Sequence, residues 1–372
     1  MEHSLAAYWD ALEKEVSIVA RAAKRRLSVH TLFFGGGTPS LVPARYYKRL
    51  FSQITAQFDL SEQAEISLEA NPGTVNQSYL DELREVGFNR ISFGMQSAHP
   101  QELAVLERTH RFQQVVDAVR MSRRAGFDNL SLDLIYGLPD QTLDRWNFSL
   151  DCAMALQPEH LSLYSLTIEE GTRLQKMAMR GIINVPEDDL AAEMYEISSG
   201  KLLQAGYQQY EISNWWRNRK DGRDFACRHN LQYWIYAPYL GFGAGAHGFV
   251  ENTRTANQPD IPGYIRKVQN HQQELLFPHS PAAEDIQILN EQTRMGEYMM
   301  VGLRLTETGV SKKAFFEMFK QNMDNIFSKQ LVFLHKKGLL ETIPSMDGDH
   351  VRLTEKGRLL GNQVFMQFVG ED

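Results

Sequence analysis

Four groups of residues in this 372-residue sequence could do chemistry. The first is a glycine turn, Phe34-Gly35-Gly36-Gly37-Thr38-Pro39-Ser40, where the loss of three side chains lets a ligand approach the backbone. The second is a pair of carboxylates, Glu69 in Glu69-Ala70-Asn71-Pro72 and Asp133 in Asp133-Leu134-Ile135-Tyr136-Gly137-Leu138-Pro139. The third is the amide of Gln96 in Gly94-Met95-Gln96-Ser97. Two carboxylates and an amide around an open glycine turn suit a polar ligand bearing amino and hydroxyl groups. The fourth is Cys227-Arg228-His229-Asn230-Leu231-Gln232-Tyr233-Trp234. It offers an imidazole able to ligate a metal and aromatic rings able to pack beside it.

Each group also has a plainer reading. Three glycines after a strand often make only a tight turn, and a carboxylate at a strand end often caps the next helix. A lone histidine among aromatics is more often a core residue than a ligand. The joint placement of the first three groups on consecutive strand ends outweighs these readings. A Walker phosphate loop is excluded, since no Lys-Ser or Lys-Thr follows the glycines. The spacing Gly-Gly-Gly-Thr-Pro also fails the dinucleotide fingerprint.

The elements that position these groups alternate. Strand-like runs are read at 30–34, 65–70, 90–95, 130–136 and 160–168, with helical spacing at 44–58, 78–86, 111–125 and 143–156. Strand–helix alternation predicts an α/β fold with a parallel sheet and helices outside. In such folds ligands bind at the carboxyl ends of strands, where the glycine turn, Glu69, Gln96 and Asp133 fall. The chain opens with a helix at 8–23, before any strand. A sheet edge at 30–34 would be a template for self-association, so a homo-oligomer is one expectation.

Beyond residue 168 the pattern changes. A long helix is read at 186–205, an aromatic strand at 207–216, a polar turn-rich stretch at 217–226 and a Gly-rich apolar segment at 239–250. The resulting division is a core over residues 1–250, a linker over 251–285 and a C-terminal domain over 286–372. That last part reads as helix, helix and strand wing, a winged-helix-like outline. Its third helix offers only Lys329, Lys336 and Lys337, which suits a packing module and not a nucleic-acid reader.

Composition agrees. The net charge of −7 gives no general attraction to nucleic acid or anionic lipid. The basic cluster Arg21, Lys24, Arg25 and Arg26 reads as the end of a solvated helix. No apolar run reaches the about 18 residues of a spanning helix. Residues 1–15 are amphipathic and acidic, unlike a signal or transit peptide. Two cysteines, Cys152 and Cys227, point to a reducing compartment, so a cytoplasmic protein is expected.

The motifs quoted above, with Arg108-Thr109-His110, His160-Leu161-Ser162-Leu163-Tyr164, Gln209-Tyr210-Glu211-Ile212-Ser213-Asn214 and the Gly-rich segment, resemble the HemW heme chaperones. These are radical S-adenosylmethionine (SAM) proteins similar to oxygen-independent coproporphyrinogen III oxidase. The resemblance covers nearly the whole chain. It implies a partial (βα)6 radical-SAM barrel with a C-terminal helical domain. It also implies that Gly36, Gly37 and Thr38 meet the methionine part of SAM, and that Glu69, Gln96, Arg108 and Asp133 contact its other polar groups. The His-Asn-x-x-Tyr-Trp segment resembles the family's heme-binding signature, which would make His229 the heme-iron ligand and Tyr233 and Trp234 its aromatic neighbours. Heme and heme-accepting proteins are the partners implied.

One departure matters. The family's first strand ends in a Cys-x-x-x-Cys-x-x-Cys loop that holds a [4Fe–4S] cluster, and this sequence contains no such motif. Both the strand and the loop are expected to be missing through an N-terminal truncation. Radical catalysis is not expected without the cluster. The leading expectation is a heme-binding chaperone. The alternatives are a coproporphyrinogen III oxidase-like enzyme of porphyrin biosynthesis and an inactive remnant of either.

Overall fold

The structure, a computed structural model, describes residues 2–184, 187–218, 222–346 and 348–369. Helix α1 (Glu2–Ala22) leads into strand β1 (Ser28–Phe34). Then follow α2 (Ala44–Gln57), β2 (Asp59–Ala70), α3 (Gln77–Val86), β3 (Arg90–Gln96), α4 (Pro100–Val105), α5 (Phe112–Arg124), β4 (Leu130–Tyr136), α6 (Leu143–Ala155) and β5 (His160–Ser165). Strand and helix therefore alternate as the hydrophobic spacing requires. Caps close the helices: the Asn76 side chain accepts from Tyr79 N, and that of Thr142 from Arg145 N.

After β5 come α7 (Arg173–Met179), α8 (Asp188–Gln204) and a hairpin of β6 (Tyr207–Glu211) and β7 (Asn214–Arg217). The expected start of α8 at residue 186, and 219–221 in the expected turn, lie outside the described residues. The aromatic run at 207–216 is two strands, not one. It turns at Ile212-Ser213, where the Glu211 carboxylate accepts from Ser213 N at 2.9 Å and from the Asn214 amide. The sheet has seven strands in the order β1-β2-β3-β4-β5-β7-β6. Pairing is parallel from β2 to β5, then antiparallel for β5 with β7 and for β7 with β6.

Register separates two faces. Ser67 pairs with Arg90, Glu69 and Ser131 with Ser92, Asp133 with Gly94 and Ser162, and Ser131 with His160, so these residues share one face. The other face carries Ile66, Leu68, Ile91, Phe93, Met95, Leu132, Leu134, Leu161 and Leu163, all buried. Helix α5 packs against β3, and α6 and α8 against β4. The fully buried Trp146 of α6 ties these helices together, donating from Nε1 to Met194 O at 3.2 Å and Ser198 Oγ at 2.8 Å. The polar face is also mostly buried, unlike the solvated face of a two-layer sheet.

The second half holds α9 (Arg228–Trp234), β8 (His247–Val250), β9 (Thr253–Asn257), α10 (Ile261–Asn270) and β10 (Ala283–Ile288). Strands β8 to β10 form an antiparallel sheet. Residues 251–285 are therefore not a linker. Its polar and Pro-containing stretch opens a helix: the Asp260 side chain accepts from Gly263 N at 2.7 Å, and Pro262 stands in the first turn of α10. The remaining helices are α11 (Glu291–Gly302), α12 (Lys312–Phe319), α13 (Met323–Ile326), α14 (Ser328–Lys336), α15 (Glu355–Leu359) and α16 (Gly361–Phe365). Strands β11 (Val310–Ser311), β12 (Leu340–Ile343) and β13 (His350–Leu353) form a small sheet in the order β11-β13-β12.

The chain forms two compact units. One contains 33–44 and 65–227; the other contains 1–32, 45–64 and 228–372. This differs from the expected split at 250. Helix α1 packs on α10 in the second of these units, and Trp9 lies 5.1 Å from Tyr47 and 5.6 Å from Tyr46 of α2, ring centre to ring centre. The opening of the chain thus shares a core with residues far along it.

Candidate functional site

The glycine turn follows β1, in the first unit described above. Gly36 and Gly37 have φ of +80° and +61°, a region that penalises a side chain. Nothing lies within 4 Å of where their Cβ atoms would be, so the turn presents bare backbone. Gly36 N donates to Glu69 Oε2 at 3.3 Å, which joins the turn to the end of β2. Below it Ser40 Oγ contacts Thr74 Oγ1 at 2.6 Å and accepts from Asn71 N at 3.1 Å. Thr38 opens the 3-10 turn at Pro39–Leu41, with its carbonyl accepting from Leu41 N at 3.1 Å.

Burial pushes the Glu69 carboxyl up, as does the charge of Asp133, against the opposing pull of Gly36 N–H and Arg90. Burial also raises Asp133, opposed by hydrogen bonds from Ser92 and Ser162, the charge of Arg90 and a bond from Ser131. Ser92 Oγ lies 2.9 Å from both Asp133 oxygens. Two buried carboxyls held above their ordinary range, with Asp133 acting on Glu69, suit a ligand bearing positive charge. Gln96, at φ +63°, occupies a bulge in the β3–β4 ladder, and its Nε2 lies 2.8 Å from where a Cβ on Gly94 would stand. A side chain at 94 would push the amide aside. Arg108 is exposed on the turn after α4 and acts electrostatically on His110, whose imidazole burial holds down and whose Nε2 meets Met95 O at 3.2 Å. Glu69, Gly36 and Asp133 are therefore brought together, Gln96 stands on the neighbouring strand, and Arg108 lies exposed on the turn after α4.

Sequence reasoning missed the polar floor beneath this site. Arg90 is 3% exposed, and Glu65, Ser131, His160, Ser162 and Tyr210 are buried with it. Burial works against the charge of Arg90, while Cys227, Glu65, Tyr210 and Asp133 hold its pKa up. The signal was available as a polar residue at every second position on consecutive strands.

The second group lies on α9, in the other unit. His229 and Tyr233 are four residues apart and share a helix face. The His229 ring is half-buried, with Nδ1 at 3.1 Å from Thr31 Oγ1 and Nε2 at 3.0 Å from the Tyr233 hydroxyl. The two rings meet edge to face at 5.2 Å, and Tyr233 meets Tyr239 at 4.7 Å. Trp234 meets the Tyr233 ring edge to face at 6.4 Å, and the guanidinium of Arg304 lies 4.4 Å from its ring centre. The structure thus joins His229 to Tyr233 directly, and Trp234 reaches the pair through the Tyr233 ring.

Residues 5–152 match the Radical SAM superfamily and residues 289–360 the HemN C-terminal domain. The heme chaperone HemW of Bacillus subtilis (strain 168) is 38% identical over 366 residues, 98% of this chain and 91% of that protein. That of Escherichia coli (strain K12) is 33% identical over 343 residues, 92% and 85% of the two. Among solved structures, coproporphyrinogen III oxidase (HemN) from Escherichia coli, a radical SAM enzyme, superposes with a TM-score of 0.78 at 23% identity. The match covers 99% of this chain and 84% of that one, and at this identity it speaks for the fold. The fold is the α/β radical SAM fold with a HemN-type C-terminal domain, and the chain belongs to the HemW family.

Proposed function

We propose that this protein is a cytoplasmic heme-binding chaperone that holds heme through His229 and passes it to acceptor proteins. The observation that carries the reading is the state of the His229 ring. Its Nδ1 is anchored on Thr31, the arrangement that orients metal-ligating imidazoles, and its Nε2 faces a tyrosine hydroxyl. Iron binding at Nε2 requires Tyr233 to yield that contact, so loading is coupled to a movement of the Tyr233 side chain. Tyr233 and Tyr239 supply apolar ring surface beside the imidazole. Among the described residues no helix is long and apolar enough to cross a membrane.

The glycine turn supports a second part of the reading, a SAM site. Bare backbone at Gly36 and Gly37, with Glu69 and Asp133 close by, fits a ligand that carries an ammonium and a sulfonium. Gln96 and Thr38 line the same strand ends, and Arg108 contributes positive charge near a ligand carboxylate. A [4Fe–4S] cluster, which the family implies, does not fit the residues of this sequence. A cluster needs three thiolates at close range, whereas the sequence has two cysteines, Cys152 on α6 and Cys227 before α9.

The test is hemin titration of the wild type, His229→Ala and Cys227→Ser, with melting curves alongside. His229→Ala removes or strongly shifts the Soret band, and Cys227→Ser changes it less. Cys227 is 1% exposed and its Sγ lies 3.5 Å from Glu65 Oε1, which leaves it poorly placed to reach heme. An unchanged Soret band in a normally folded His229→Ala would end the assignment.

A further inference from the structure

We infer that His160 is a positioning residue for Asp133, acting through a one-directional chain of buried hydrogen bonds that begins at the backbone of Cys227. The inference rests on the reading of Asp133 as part of the SAM site. The links are short and lie in one unit. Cys227 N donates to Tyr210 Oη at 3.3 Å, and Tyr210 Oη meets His160 Nε2 at 2.9 Å. His160 Nδ1 meets Ser131 Oγ at 2.9 Å, and Ser131 Oγ donates to Asp133 Oδ1 at 3.3 Å.

The directions follow from counting protons. A serine hydroxyl has one hydrogen, and Ser131 gives it to Asp133. Ser131 Oγ must then accept from His160, so Nδ1 carries the imidazole hydrogen. His160 is fully buried and stays neutral: burial, then the charge of Arg90, holds its pKa well below the ordinary value. With Nδ1 protonated in a neutral ring, Nε2 is an acceptor, and the Tyr210 hydroxyl donates to it. Tyr210 Oη in turn accepts from Cys227 N–H. Every link is satisfied once, and only one tautomer satisfies them all.

Strand register makes the chain possible. Ser131 and His160 are paired across β4 and β5, so their side chains leave the sheet side by side. His160, Ser131 and Tyr210 are buried, and Asp133 is half-buried in front of them, so the groups behind the carboxylate are closed off. Ser131 is thereby prevented from turning its hydrogen away. The carboxylate keeps one fixed donor in addition to Ser92 and Ser162, and its orientation toward the ligand is held before the ligand arrives.

A purely structural role for His160 predicts loss of stability alone. A positioning role predicts rescue by the residue that keeps the right nitrogen. His160→Asn places an amide N–H near the Nδ1 position, His160→Gln places it near Nε2, and His160→Leu offers neither. SAM binding to the full chain is measured by calorimetry, with melting curves for each variant and Asp133→Asn as a control. His160→Leu and His160→Gln should weaken SAM binding about five- to tenfold, the effect of one neutral hydrogen bond, while His160→Asn stays within about twofold of wild type. Equal affinities across the three variants, or no advantage of Asn over Leu, would overturn the inference. If Asp133→Asn also binds as wild type, the SAM reading of Asp133 itself has failed. Nitrogen-15 NMR of histidine-labelled protein decides the chain without ligand. Protonation at Nδ1 of His160 supports it, and protonation at Nε2 refutes it whatever the SAM result.

Discussion

Replacing Glu15 should be among the most destabilising single changes in the chain. Glu15 lies on α1 with no exposed surface. Its Oε2 accepts from Gly243 N at 2.8 Å and Tyr264 Oη at 2.7 Å. Its Oε1 accepts from Asn257 Nδ2 at 2.7 Å and from Ser280 Oγ. One side chain thus pins α1 to the Gly-rich segment, β9, α10 and the stretch before β10. Gly243 must be glycine for this approach, since it has φ of +102° and a Cβ would stand 2.7 Å from the Tyr8 hydroxyl. In Glu15→Ala four buried donors lose their acceptor, at about 1 kcal/mol or more each, so the loss is about 4 kcal/mol. Glu15→Gln keeps the shape and one acceptor, but whichever way the amide turns it faces Gly243 N–H or Asn257 Nδ2. One donor–donor conflict costs about 1–3 kcal/mol.

Equilibrium urea unfolding of the two variants reads these values. The pH dependence gives a separate check. Burial, only partly offset by the four donors, raises the Glu15 carboxyl above its ordinary value. The folded chain then holds a proton that the unfolded chain releases. This contribution to stability is complete below the unfolded value of about 4.3 and is lost as pH rises through the raised folded value. Glu15→Gln should remove that decline. A Glu15→Ala cost below about 1 kcal/mol, or an unchanged pH slope in Glu15→Gln, would refute the reasoning.

Two further outcomes concern the ligand sites. Because the Glu69 carboxyl is raised by burial and by Asp133, and only partly lowered by Gly36 N–H and Arg90, SAM affinity should fall as pH drops through that raised value. Glu69→Gln should flatten the profile and weaken binding at pH 7, and calorimetry across pH 5–8 checks both. Anaerobic reconstitution of this chain with iron and sulfide should leave the visible spectrum flat, since its two thiols stand on separate elements. A stoichiometric brown chromophore with about four irons per chain would contradict that.

The strand ends were legible because glycine and carboxylate punctuation there is local. β4 at Leu130–Tyr136 has the bounds that its hydrophobic spacing implies. β2 begins at Asp59 and not at 65, because residues 59–63 are polar, largely exposed and without strand alternation. Contacts between distant residues were not legible. Glu15 meets partners 228 to 265 residues away, and His229 meets Thr31 across 198. No periodicity encodes such pairs. The division at 250 failed for the same reason, since α1 and α2 join a unit whose remainder begins at residue 228.

The buried polar face links the fold to its chemistry. Unpartnered polar groups in an interior are costly, so a sheet buried on both faces is normally apolar on both. Here β2 to β5 each place a serine on the inner face: Ser67, Ser92, Ser131 and Ser162. Serine is small enough to leave space between strands, and its hydroxyl can donate to a neighbour on the next strand. Three of the four act on Asp133. Alanine at these positions would strip the carboxylate of its donors, and valine would also fill the space a ligand needs. The position of Asp133 is therefore set by inter-strand register and not by its own loop, which is why a carboxylate can stand on a strand and still be held in one orientation.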